Sequence, residues 1–195
     1  MSSTNRGYAR HESDYYITPQ KDIFHFLTHF LQDNEWQDLS EQVILDPCCG
    51  GDENHVSSYM NQLKRFSPKK LIGLDIREDA RSDIQCDFLE TTKETFENQL
   101  FDMIISNPPF YLALEFVKKS LELVKDDGYV IMLLRLNFMG TKKRYPFFKQ
   151  HMPERTYVHH ARISFSESGK TDSIEYAHFV WKKGFNNNFS KLYVI

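Results

Sequence analysis

The run Asn107-Pro108-Pro109-Phe110 follows directly on the apolar segment Phe101-Asp102-Met103-Ile104-Ile105-Ser106, and its residue types suit it for chemistry. A buried strand that ends in a rigid turn can aim one side-chain amide oxygen and one backbone carbonyl at the same point. Two such acceptors hold a planar amino group. Each proline fixes its own φ and lacks a backbone N–H, which keeps the Asn107 and Pro108 carbonyls out of regular structure. Phe110 adds a flat face for a flat substrate.

Three acids fall where a nucleoside ligand needs them. Asp46 closes an apolar run and precedes Pro47-Cys48-Cys49-Gly50-Gly51, a tight turn whose glycines let the backbone approach a ligand. Asp75 ends a second run, and a carboxylate there can accept hydrogen bonds from two ribose hydroxyls. Asp87 follows Cys86 at what reads as the end of a third strand, where it can accept from an adenine amino group with Phe88 beside the ring. His25 and His29 lie four apart on a helical segment, a metal-binding spacing that lacks a third ligand of matching placement. No metal is expected.

These residues need a scaffold. Thr18 reads as an N-cap with Pro19 at the first helical position, and Ile23, Phe24, Leu27, Phe30 and Leu31 place an amphipathic helix over residues 19–32. The runs Gln42–Asp46, Lys70–Asp75, Phe101–Ser106 and Tyr129–Leu134 lack strict alternation, as expected of parallel strands covered on both faces. Helical stretches lie between them, the clearest being Leu112–Lys125 with Gly128 beyond its end. Strand and helix alternating four times predict a doubly wound α/β sheet, in which ligands collect beyond the carboxyl ends of the strands. Thr156–His160 and Tyr176–Lys182 read as two further strands forming a closing hairpin at one sheet edge.

A chain of 195 residues with 41% hydrophobic content suits one well-buried core, so a single domain over residues 1–195 is expected, with residues 1–17 as an N-terminal arm. No run is long enough for a membrane span and the start is polar, so a soluble cytoplasmic protein is expected. Cys48, Cys49 and Cys86 give neither a disulfide framework nor paired zinc spacing. Charge is unevenly distributed: residues 1–134 hold 13 Lys and Arg against 23 Asp and Glu, net −10, while residues 135–195 hold 11 against 4, net +7. An anionic partner meeting the C-terminal third would account for that split, and so would a solvated charged face. Lys142, Lys143 and Arg144, set among aromatics in Met139–Phe148, are candidate phosphate contacts, with Arg162 and Lys170 in a second loop, and a solvated loop that packs its aromatics inward is the equal alternative.

The order Tyr16-Ile17-Thr18-Pro19, Leu45-Asp46-Pro47-Cys48-Cys49-Gly50-Gly51, Gly73-Leu74-Asp75-Ile76, Cys86-Asp87-Phe88-Leu89 and Asn107-Pro108-Pro109-Phe110 resembles the class I S-adenosylmethionine-dependent methyltransferases. Within that class the chain is similar to small phage and prophage DNA adenine methyltransferases. Leu134-Arg135-Leu136-Asn137-Phe138, Arg162-Ile163-Ser164-Phe165 and Thr171-Asp172-Ser173 extend the likeness over nearly the whole chain. One departure is Asp52-Glu53, where the family's turn usually carries a further glycine.

The resemblance implies a Rossmann-like fold with a mostly parallel seven-stranded sheet and an antiparallel C-terminal edge hairpin. It assigns Thr18, Asp46, Cys48 and Gly50 to the methionine part of the cofactor and its surroundings, Asp75 to the ribose and Asp87 to the adenine. Tyr16, Pro47, Ile76 and Phe88 complete the cofactor set. Asn107, Pro108, Pro109 and Phe110 would receive the target base, an extruded adenine in DNA. With the core consuming most of the chain, residues 138–173 are the expected substrate-facing segment, and recognition is short, loose or borrowed from a partner or a second copy. The alternatives are methylation of another planar amine, in RNA or on a protein glutamine, and a non-catalytic module that binds cofactor or partner.

Overall fold

The apolar runs become adjacent strands because each alternates its side chains between two covered faces. In the computed structural model, which describes residues 17–165 and 173–195, Ile44, Met103, Ile105, Ile131 and Leu133 pack beneath the first helix, α1 (Gln20–Asp33). That helix contributes the buried residues Ile23, Phe26, Leu27, Phe30 and Leu31. On the opposite face Leu45, Ile104, Val130, Met132 and Leu134 pack with Phe116, Val117 and Leu123 of α3 (Ala113–Leu123). Burying such a side chain stabilises by about 1.5–3 kcal/mol, so the two layers hold the sheet between them.

The strands are β1 (Val43–Asp46), β2 (Lys70–Asp75), β3 (Ile84–Gln85), β4 (Phe101–Ser106), β5 (Val124–Arg135), β6 (Arg155–Val158), β7 (Tyr176–Lys182) and β8 (Lys191–Val194). They form one sheet in the order β3-β2-β1-β4-β5-β7-β6-β8. The pairs among β3, β2, β1, β4 and β5 are parallel, and β7 is antiparallel to both β5 and β6. This is the expected doubly wound α/β architecture with an antiparallel C-terminal edge. Two short helices, α2 (Ser58–Leu63) and α4 (Tyr145–Phe148), complete the regular elements. Among the described residues no helix is long and apolar enough to cross a membrane.

Four details differ from the sequence reading. The sheet has eight strands among the described residues rather than seven, because Lys191–Val194 adds parallel to β6 through backbone pairing its residue pattern does not advertise. The expected hairpin pair forms, β7 antiparallel to β6, but β8 rather than the pair is the outermost strand. No α-helix joins β2 to β4, whose connection holds β3 and two 3-10 turns, Phe88–Glu90 and Glu94–Phe96. Gly128 is not a helix cap. Helix α3 ends at Leu123, Val124 is already extended at φ −81°, ψ 148°, and Gly128 lies within β5.

A close approach of backbone explains Gly128 instead. A Cβ there would meet Val124 Cγ2 at 2.6 Å, the Asp102 carbonyl at 2.9 Å and the Lys125 carbonyl at 3.0 Å, and two of these three are backbone atoms that cannot swing aside. Gly128→Ala is expected to destabilise the chain by about 1–3 kcal/mol, read as a lower urea midpoint at unchanged slope. A midpoint equal to wild type would contradict the packing described.

Candidate active site

The parallel strands β1, β2 and β4 all end at one cavity of about 390 Å³. Its wall carries Thr18, Pro47, Cys48 and Gly50, then Asp75 and Ile76, then Asp87 and Phe88, then Asn107 and Pro109. The segments that bear them are far apart in sequence, and the doubly wound sheet brings them to its carboxyl edge.

The turn after β1 is shaped by its glycines. Gly50 and Gly51 have φ of 61° and 82°, and a Cβ on Gly51 would meet Ser57 Oγ at 2.5 Å and Ser57 N at 2.9 Å. The Gly50 N–H donates to Asp75 Oδ2 at 2.8 Å, and Ser57 Oγ donates to the Gly50 carbonyl at 2.9 Å. The carboxylate at the end of β2 thus anchors the turn as well as lining the cavity. Its other oxygen accepts from the Arg77 N–H at 3.0 Å.

Asp46 is under the wall rather than on it. It is fully buried, and its Oδ1 accepts from Ser106 Oγ at 2.7 Å and from the Cys48 N–H at 3.2 Å. Its Oδ2 has no hydrogen-bond partner among the described residues. Burial pushes the carboxyl up to about 7 against the pull of those hydrogen bonds. Asp87 lines the cavity, but it comes after the end of β3 and caps a 3-10 turn, accepting from the Leu89 N–H at 2.9 Å. Phe88 is buried against Phe116, with ring centroids 5.2 Å apart.

Asn107 sits where β4 gives way to the proline turn. Its Nδ2 donates to Thr18 Oγ1 at 3.0 Å, while its Oδ1 is buried with no partner among the described residues. Thr18 is therefore not the helix cap expected of it: Pro19 occupies that position and the buried hydroxyl holds the amide. A buried acceptor left unmatched costs about 1–3 kcal/mol, which a ligand's N–H would recover. The orphaned oxygen and the glycine cradle make the cavity a fit for an adenosine-bearing cofactor beside an amino-group substrate.

Other expectations need correction. Phe110 does not line the cavity: its ring packs on Tyr176 at 5.6 Å, with the Arg135 guanidinium 4.9 Å above it. The aromatics that do line the cavity are Tyr59, Phe88, Phe116 and Tyr111, the last 70% exposed. Pro108 is buried and not part of the lining. Asp52 and Glu53 do not face the cavity either. Asp52 Oδ1 accepts from the N–H groups of Asn54 and His55 and from His55 Nδ1, each at 2.8 Å, so this carboxylate serves its own loop.

The basic segment divides. Lys142 and Lys143 are exposed, as is Tyr145, while Phe147 and Phe148 are buried. Arg144 is committed internally, donating to the Phe138 carbonyl at 2.6 Å and stacking over its ring at 4.5 Å, so it is no free phosphate contact. Arg162 pairs with Glu175 at 3.3 Å. Tyr16 and Lys170 lie outside the described residues. Part of the positive charge of the C-terminal third is spent locally, Lys182 on Asp127 at 3.4 Å and Lys183 on Asp126 at 3.9 Å.

No family model matches the chain, and no curated protein matches it. Solved structures do. A protein from Listeria monocytogenes assigned to the class I S-adenosylmethionine-dependent methyltransferases superposes with a TM-score of 0.63 at 18% identity, over 92% of this chain and 65% of that one. A Pyrococcus horikoshii protein assigned as an RNA methyltransferase gives 0.65 at 15% identity, over 94% and 95% of the two chains. The M protein of the type I restriction enzyme EcoKI gives 0.55 at 14% identity, over 91% of this chain and 46% of that one. This is the class I methyltransferase fold. The chain spans slightly less than two-thirds of the Listeria protein's length and about half that of the EcoKI subunit.

In the class I methyltransferase fold of this chain, sequence reasoning overlooked Tyr59, Arg77 and Tyr111 on the cavity wall and Arg135 over Phe110. Arg135 had a signal: a cation at the carboxyl end of β5, next to β4 in the sheet. Tyr59 gave none, since an aromatic on a short helix usually reads as core.

Asp46 generates a prediction about pH. Because its folded pKa of about 7 lies above the ordinary 3.8, its contribution to stability is fully present below about pH 4 and is lost as pH rises through 7. Asp46→Asn should therefore gain on the wild type by an amount on the order of 2–4 kcal/mol between about pH 4 and pH 8 in urea unfolding. A difference that stays constant with pH would contradict the buried, protonated carboxyl.

Proposed function

We propose that this chain transfers a methyl group from S-adenosylmethionine to the exocyclic 6-amino group of adenine in DNA. The observation that carries the reading is that Asn107, whose buried Oδ1 has no partner among the described residues, lines the same cavity as Asp75 and Asp87. When bound, the cofactor supplies an activated methyl group on a cationic sulfur. Gly50 and Gly51 would admit its chain, Asp75 would accept from the ribose, and Asp87 and Phe88 would border the adenine.

The chain's own task is then positioning. An aromatic amine is a poor nucleophile because its lone pair is delocalised into the ring. Asn107 Oδ1 accepting one N–H would favour a pyramidal nitrogen whose lone pair faces the methyl group; the Pro108 carbonyl, buried in the structure, would have to become accessible to serve as a second acceptor. Alignment and charge stabilisation account for most of the acceleration in such a site. Thr18 anchors the amide by accepting from Asn107 Nδ2. A base within a duplex must first be extruded, and Tyr111 and Phe110 flank the turn that would receive it.

The motif order is what favours DNA over RNA and glutamine in this reading, since the solved neighbours include both a protein assigned as an RNA methyltransferase and a restriction-modification subunit, and exposed Lys142 and Lys143 are its phosphate contacts. Purified protein should methylate duplex or single-stranded DNA and leave a glutamine peptide unmodified; the reverse outcome overturns the substrate assignment. Asn107→Ala should bind S-adenosylmethionine within about threefold of wild type while losing at least about 100-fold in turnover. An equal loss in cofactor affinity would remove Asn107 from the proposed role.

The lysine pair is tested by salt. Replacing Lys142 and Lys143 with Ala should weaken DNA binding and reduce the slope of log affinity against log salt by about 1–2. An unchanged slope would place the DNA elsewhere.

A further inference from the structure

Outside the cavity, the strongest cluster of metal-ligating side chains stands on the exposed side of α1. His25 and His29 are one turn apart, and their Nε2 atoms are 3.2 Å apart. A tetrahedral ion with nitrogen ligands at 2.0–2.1 Å places two such nitrogens about 3.3 Å apart. The pair therefore already has the separation of a chelate, on a helix whose buried face fixes both backbones.

A third imidazole stands near. The His160 ring lies 6.4 Å from that of His25, against 4.8 Å between His25 and His29. In a tetrahedral site with imidazole ligands the ring centres are roughly 5 Å apart, so His160 is about 1 Å outside ligating position. Among the described residues no group of three His, Cys, Asp or Glu side chains is already placed to hold a metal ion, so His160, which is exposed, must move to complete the site. His160 is also prepared in the manner of a metal ligand: its Nδ1 donates to the Ile195 carbonyl at 2.6 Å, which leaves the Nε2 lone pair outward. Asp22, one turn before His25, faces both His25 and His160 electrostatically and supplies an anionic neighbour.

We propose that His25, His29 and His160 form a binding site for a borderline divalent cation such as Zn²⁺, independent of the cavity and of methyl transfer. Imidazole ligands suit Zn²⁺, Ni²⁺ or Cu²⁺ and disfavour Mg²⁺ or Ca²⁺. Bound there, the ion staples α1 to the segment after β6 and, through His160, to Ile195. The Ile195 N–H donates to the Val158 carbonyl at 2.9 Å, so the staple reaches β6 through backbone that is already fastened.

The experiment is calorimetric titration of chelator-stripped, tag-free protein with Zn²⁺ alone. The expected result is one ion per chain at micromolar affinity, weakened at least tenfold by His25→Ala or His29→Ala. His160→Ala should weaken it by a smaller factor, and His151→Ala, on a different element, should leave it unchanged. Zn²⁺ should also raise the melting temperature of the wild type and not that of the His25→Ala, His29→Ala double variant. Absent binding at micromolar Zn²⁺ overturns the proposal, as does binding that survives both helix variants, which would assign the ion to the cysteines. Thermal unfolding without metal distinguishes a misfolded variant, and His25→Gln then serves in its place.

Discussion

The account depends on one hydrogen bond and on the one it leaves unmade. Asn107 gives its amide N–H to Thr18 and keeps its amide oxygen unpaired in a buried wall. The Thr18 hydroxyl fastens the amide to the segment that leads into α1. Thr18 is placed by α1, whose five buried apolar side chains seat it on the sheet. The helix is thus part of the site's construction, although its own apolar face carries no chemistry.

The strand ends do the corresponding work on the cofactor side. Asp75 ties the glycine turn through Gly50, and Asp46 ties β1 to β4 through Ser106, next to Asn107. A carboxyl whose pKa burial raises to about 7 is a suitable link there, because near neutral pH it carries only part of the charge that would be costly to bury. The polar chain from Asp75 through the turn to Asp46 and Ser106 ties together the ends of β2, β1 and β4. Among the described residues, all three cysteines are free.

Much of this was legible in the residues. Runs covered on both faces read as parallel strands because they lack alternation, and β2, β4 and β7 begin and end where that pattern ends. Acids at strand ends read as ligand contacts because parallel sheets expose those ends together. What stayed hidden depends on tertiary pairing. β8 is four residues held by β6, and its own pattern predicts nothing. Thr18 fits a capping signature, and only the fold reveals that Asn107, 89 positions away, claims its hydroxyl. Arg144 looks like its two lysine neighbours until Phe138 takes it. Asp52 looks like a carboxylate beside a cationic ligand until its own loop claims it.

The central claim is geometric, so the most direct measurement is a crystal structure of the protein with S-adenosylhomocysteine and adenosine. The account predicts the thioether ligand against Asp75 and the adenosine amino nitrogen about 3 Å from Asn107 Oδ1. Adenosine bound away from Asn107, or an Asn107 oxygen turned onto Thr18 with no ligand beside it, would contradict it.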